Sequence, residues 1–153
     1  MKLARTLAAV LLLAAIGFAS YRAYCEYVAL SNLEVMIIGA SIKRVGLTSA
    51  DLSLTLEIRN PTSCDSPAVS TVYDIYVGGA YVGRGSLPPT AIPAGEAVRR
   101  ETIVTVEYAK AATGLAEALV RGRLQVTIRG KVSTRLLFGL IPITLSFERS
   151  YGG

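Results

Sequence analysis

Of all the stretches in this chain, Gly78-Gly-Ala-Tyr-Val-Gly83-Arg84-Gly85 comes nearest to a chemical device. Its glycine spacing is that of a phosphate loop, where backbone N–H groups and a helix N-terminus cradle the anion. The lysine and the Ser/Thr of such a loop are missing, and Ser86-Leu-Pro-Pro89 follows in place of a helix. The segment reads instead as a β-hairpin, with Gly78-Gly79 supplying a positive-φ turn. The rest of the inventory is as restrictive. The 153 residues include no histidine, which removes His-based triads, most neutral-pH general bases and most zinc sites. Cys25 and Cys64 are the only cysteines, too few for a tetrahedral metal site. Outside the cytoplasm they could pair and inside it they would stay thiols; the sequence leaves both open. The carboxylates Asp51, Glu57, Asp65, Asp74, Glu96, Glu101, Glu107, Glu117 and Glu148 are dispersed, and no two stand out as an acid/base couple. Asn60-Pro61-Thr62 fails as a glycosylation sequon because proline holds its middle position. These residues argue against an enzyme and predict no catalytic residue, cofactor or metal.

The elements that carry these residues are strands. Asp51-Leu-Ser-Leu-Thr-Leu-Glu-Ile-Arg59 alternates without a break. Period two puts Leu52, Leu54, Leu56 and Ile58 on one face and Ser53, Thr55, Glu57 and Arg59 on the other. Asn60-Pro61 ends the run, because proline has no N–H for a ladder. Similar strands are predicted over 33–45, 69–77, 80–87, 97–108, 124–129 and 141–148, with Val69, Thr71, Tyr73, Ile75 and Val77 sharing a face. Loops are expected at 60–67 and at Pro88-Pro89 through Gly95. Over 109–121 the period shifts to that of a helix: Ala112, Leu115, Ala116, Leu119 and Val120 make one stripe, which either covers the sandwich or lies on lipid. Tyr73, Tyr76, Tyr81 and Tyr108 read as core or cross-strand residues. About seven strands at this spacing predict an all-β, two-sheet β-sandwich of fibronectin-III/immunoglobulin-like type with one short helix.

The N-terminus is a different material. Lys2 and Arg5 precede residues 6–21, which carry no charge and include Leu7, Leu11, Leu12, Leu13, Ile16 and Phe18. A cleaved signal peptide would use Gly17 and Ala19 near its cut. A membrane anchor would span residues 3–23, about 30 Å of helix, with Arg5 and Arg22 at its ends and Tyr21, Tyr24 and Tyr27 at the interface. The tyrosine belt favours the anchor, so residues 1–30 are expected to form it and residues 31–153 the folded domain. In both cases the basic end stays cytoplasmic and the domain lies outside. Of 16 basic and 11 acidic residues, Lys2, Arg5, Arg22 and Glu26 lie in this segment, leaving 13 and 10. So small an excess, with no basic run among aromatics, predicts no nucleic-acid partner. Nothing in the sequence sets an oligomeric state.

The segment from Asp51 to about Tyr108 resembles the late embryogenesis abundant type 2 family, the LEA14-like or water-stress-and-hypersensitive-response domain. The order of features carries the likeness: the strand ending in Asn60-Pro61, then Tyr73-Asp-Ile-Tyr-Val77, Gly79, Val82-Gly83, Gly85, Ile92-Pro93-Ala94-Gly95 and Ile103-Val-Thr-Val-Glu107. The later Val126-Thr-Ile-Arg-Gly130 and Ile141-Pro142-Ile143 fit more loosely. Thr62-Ser63-Cys64 departs from it, since the family more often places Asn, Tyr or Phe after Asn-Pro. The resemblance implies a fibronectin-III-like sandwich without catalytic residues, a link to desiccation and other stress, and frequent N-terminal membrane helices. It marks Asn60, Pro61, Tyr73, Gly79, Gly83, Pro93 and Gly95 as structural motif residues. The expected role is non-enzymatic stress protection or partner binding at the membrane. A lipid-binding or lipid-transfer domain and a secreted adhesion or assembly module are the alternatives.

Overall fold

The computed structural model describes residues 1–108, 121 and 125–152. Among the described residues a long helix, α1 (Lys2–Ser31), leads into seven strands: β1 (Glu34–Val45), β2 (Ser49–Arg59), β3 (Val69–Val77), β4 (Ala80–Thr90), β5 (Ala97–Glu107), β6 (Val126–Leu136) and β7 (Ile141–Tyr151). They form two antiparallel sheets, one in the order β1-β2-β5 and the other β4-β3-β6-β7. This is the expected fibronectin-III-like sandwich. The helix predicted over 109–121 lies, except for Arg121, outside the described residues.

Alternation builds the core as predicted. On β3, Val69, Thr71, Tyr73, Ile75 and Val77 are all buried, and Leu52, Leu54, Leu56 and Ile58 of β2 face them from the other sheet. Ile128, Val132 and Leu136 from β6 and Val104 and Val106 from β5 complete the interior. Tyr73 crosses it. Its neighbours in register are Gly85 on β4 and Gly130 on β6. A methyl group on Gly85 would run into the Tyr73 ring, and one on Gly130 would meet the Phe147 ring at 2.6 Å. With both flanks bare, the Tyr73 hydroxyl reaches the opposite sheet and meets the Thr102 hydroxyl at 2.7 Å. Gly83 serves a similar purpose, since a Cβ there would sit 2.8 Å from Val104 on the facing sheet. Gly78 and Gly79, at φ +58° and +85°, make the two-residue turn between β3 and β4. Tyr76 and Tyr81 pair edge to face beside that turn, with ring centroids 5.8 Å apart.

Three expectations need correction. Pro88 and Pro89, expected in a loop, lie within β4. That strand is an edge with β3 as its only neighbour, and its register slips between Leu87 and Thr90, so neither proline has a partner in the ladder. Ser53 and Glu57, assigned to the solvent face of β2, are buried. Their strand is central, so side chains from β5 fold over it: Glu101 accepts a hydrogen bond from Ser53, and Arg99 pairs with Glu57 at 2.7 Å. β6 runs to Leu136, well past the expected end at 129, because Val132, Thr134 and Leu136 keep the inward alternation.

Candidate functional site

α1 has two unlike parts. Every residue from Met1 to Phe18 is exposed. The six apolar residues marked as anchor, Leu7, Leu11, Leu12, Leu13, Ile16 and Phe18, are 55–69% exposed. The helix that carries them is long and apolar enough to cross a membrane, although a signal sequence passes the same test. From Ala19 onward one face turns inward: Ala19, Ala23, Glu26 and Leu30 follow helical spacing, and Leu30 joins the sandwich core. The last third of α1 thus packs as part of the folded domain.

Three ties hold it there. Cys25 is disulfide-bonded to Cys64 in the β2–β3 loop, which resolves the thiol question left open above. The Glu26 carboxylate, only 9% exposed, accepts a hydrogen bond from the Leu137 backbone N–H at 3.0 Å, in the turn between β6 and β7. Arg22, one turn earlier, pairs with Glu26 at 3.3 Å and lies 5.1 Å from the Phe138 ring centroid.

The loop that holds Cys64 is itself rigidly built. Asn60 is fully buried. Its amide nitrogen donates to the Cys64 carbonyl at 2.7 Å and the Ile92 carbonyl at 3.0 Å, while its oxygen accepts from the Thr62 N–H and hydroxyl. The neighbouring β4–β5 loop zips onto it: Ser66 N–H donates to Ile92, the Ile92 N–H donates back to the Ser66 hydroxyl, and Asp65 accepts from Ala94 N–H. Gly95, at φ +72°, donates its N–H to Thr62. Of the motif residues, Asn60, Pro61, Pro93 and Gly95 therefore gather at the end of the sandwich from which α1 emerges. Tyr73 and Gly83 stand in the interior, and Gly79 lies at the far end.

Chemical capacity elsewhere is low. Three strand carboxylates each face a cation: Asp74 with Arg84 at 2.8 Å, Glu148 with Arg129 at 2.9 Å, and Glu101 with Lys43 at 3.6 Å. The Ser53 hydroxyl and then Lys43 hold the Glu101 carboxyl below its ordinary value. Asp74 strengthens the hold of Arg84 on its proton. Burial pushes the Tyr73 phenol up, partly offset by its bond to Thr102. None of these is the pattern of an acid beside a base. Among the described residues no cluster of three or more potential ligands could hold a metal ion.

Glu26 and Phe138 escaped the sequence reading. Glu26 sits four residues from Arg22, an ordinary surface-pair spacing, and nothing local announces that its partner lies more than a hundred residues away. Phe138 lies between the strands expected over 124–129 and 141–148, outside every predicted element.

Comparison with known proteins agrees with this geometry. The sequence profile of the family described as late embryogenesis abundant protein matches residues 55–148. A solution structure of an Arabidopsis thaliana protein aligns at a TM-score of 0.53 and 18% identity, covering 78% of this chain and 81% of that one. A protein from Archaeoglobus fulgidus aligns at 0.41 and 13%, covering 80% and 98%. The solution structure of a late embryogenesis abundant protein aligns at 0.41 and 17%, covering 99% and 86%. The first of these likenesses, at its low identity, speaks to fold alone, and no argument rests on the other two. No curated protein matches the chain.

Proposed function

The chain belongs to the late embryogenesis abundant protein family, and from that premise we propose that it is a membrane-tethered, non-enzymatic sandwich that protects or binds partners at the membrane surface under water stress. The observation that carries this reading is the division of α1. Its first part is an apolar rod without burial, and its last part is bolted to the domain. A rod of this kind needs an apolar surrounding, and a bilayer supplies one. Lys2 and Arg5 orient it with the N-terminus cytoplasmic. The disulfide supports an outward-facing domain, because such bonds persist in oxidising compartments. A lipid carried between the sheets is the weaker reading, since Tyr73 already spans that space to Thr102.

Carbonate extraction of membranes followed by N-terminal sequencing tests the tether: the intact chain should stay in the pellet with its first residues in place. Release into the supernatant, with a new N-terminus near Ser20, would replace the tether with a secreted module. Survival after drying, compared between cells with and without the gene, tests protection. Equal survival would remove the stress role.

A further inference from the structure

The turn between β6 and β7 is built at conformational cost. Leu137 and Phe138 have φ of +52° and +55°, and Gly139 follows at +87°. Side chains with a Cβ avoid this region, at roughly 1 kcal/mol or more each. Glycine or asparagine would sit there without strain, yet the turn presents Phe138 at 73% exposure and Leu140 at 77%, with Ile141 at 47% beside them. Backbone bonds from Leu140 N–H to the Leu136 and Leu137 carbonyls close the turn. The Glu26 carboxylate then fixes it to α1 through the Leu137 N–H.

Its position gives the display a meaning. The Phe138 ring lies against the guanidinium of Arg22. Arg22 is the first charge after the uncharged run 6–21, so it marks where the rod would leave the hydrocarbon for the headgroup zone. Phe138 therefore stands at the same depth as the tyrosines flanking Arg22, the level where aromatic rings partition best. The apolar tip has an available occupant, and it is the one α1 already needs.

We propose that the 137–140 hairpin tip dips into the interfacial layer of the bilayer beside α1, forming a second membrane contact that fixes the orientation of the domain. The partner is the lipid surface itself, met by apolar contact, and this rests on the reading of α1 as an anchor.

The chain contains no tryptophan, so an introduced one reports alone. Full-length Phe138→Trp, Leu140→Trp, Leu12→Trp and Leu47→Trp variants are reconstituted in phosphatidylcholine vesicles with and without brominated acyl chains. Leu47 is fully exposed, in the β1–β2 turn at the opposite end of the sandwich, and serves as the solvent reference. The expected result is blue-shifted emission at positions 12, 138 and 140, most of it lost to bromine, and unshifted, unquenched emission at 47. If position 12 is quenched while 138 and 140 behave like 47, the tip contact is wrong and the anchor stands. If position 12 is not quenched, the anchor reading fails and the tip proposal with it. Quenching at 47 as well would mean indiscriminate adsorption and would also overturn the proposal.

Discussion

Asn60 uses the full hydrogen-bonding capacity of its side chain in a fully buried position, two N–H donors to two carbonyls and one oxygen to the N–H and hydroxyl of Thr62. Asparagine suits this site because it alone combines that short reach with both donors and an acceptor. Alanine would remove four hydrogen bonds at once and release the loop that carries Cys64, although the Ile92 carbonyl keeps the Ser66 N–H. Each such bond contributes about 0.5–1.5 kcal/mol net, so Asn60→Ala should lower stability by about 3 kcal/mol. Urea denaturation of the full chain in detergent should show the midpoint falling with an unchanged slope. A loss below about 0.5 kcal/mol, the level of an ordinary surface change, would mean that the loop holds without it. The reason this role was only half legible is physical. Asn-Pro announces that a strand ends, which is a local fact about a missing N–H. The partners of the Asn60 amide are carbonyls 4 and 32 residues further on, and no local pattern encodes that meeting.

The same divide runs through the elements. Strands such as β2 and β3 were legible because burial on one face writes itself as alternation. The packing of the last turns of α1 was less so. Residues 23–31 mix tyrosines, small and aliphatic side chains with one acid, and only contact with the sandwich selects Ala23, Glu26 and Leu30 as the inner face. Contacts between elements also explain why β4 tolerates two prolines at the edge of its sheet. The disulfide is the strongest of the ties on α1. It closes a loop of sequence separation 39, for which chain entropy suggests about 4 kcal/mol. The two halves it joins are otherwise linked by the Glu26 and Leu30 contacts, so reduction should loosen α1 from the sandwich before the sheets part. Adding a reductant to the full chain in detergent should lower the melting temperature and open residues 20–32 to protease, while the β-sheet circular dichroism persists below the new transition. Cys64→Ser should copy the effect. If proteolysis at 20–32 is the same with and without reductant, the helix packing does not depend on the bond.

For the molecule as a whole, the change from exposed apolar helix to packed helix falls inside α1, not at its end. This makes two truncations behave differently. A chain starting at residue 20 keeps Ala23, Cys25, Glu26, Ala29 and Leu30, hence the disulfide and the helix contribution to the core. A chain starting at residue 33 loses all of them. Removing the buried Leu30 side chain alone costs about 2–5 kcal/mol by the behaviour of large-to-small core changes, to which the lost disulfide adds. The 20–153 chain should therefore melt close to the full-length protein, whereas 33–153 should melt many degrees lower or fail to accumulate. Neither retains the exposed apolar rod of residues 3–18, so both should remain in the supernatant when mixed with phosphatidylcholine vesicles. The hairpin tip alone exposes too little apolar surface to hold a domain of this size firmly. Thermal melts and vesicle sedimentation measured side by side thus separate the two jobs of one helix. A 33–153 chain as stable as 20–153 would show that the packed turns of α1 contribute nothing to the fold. Full sedimentation of 20–153 would place the membrane-binding surface on the sandwich and take it away from the rod.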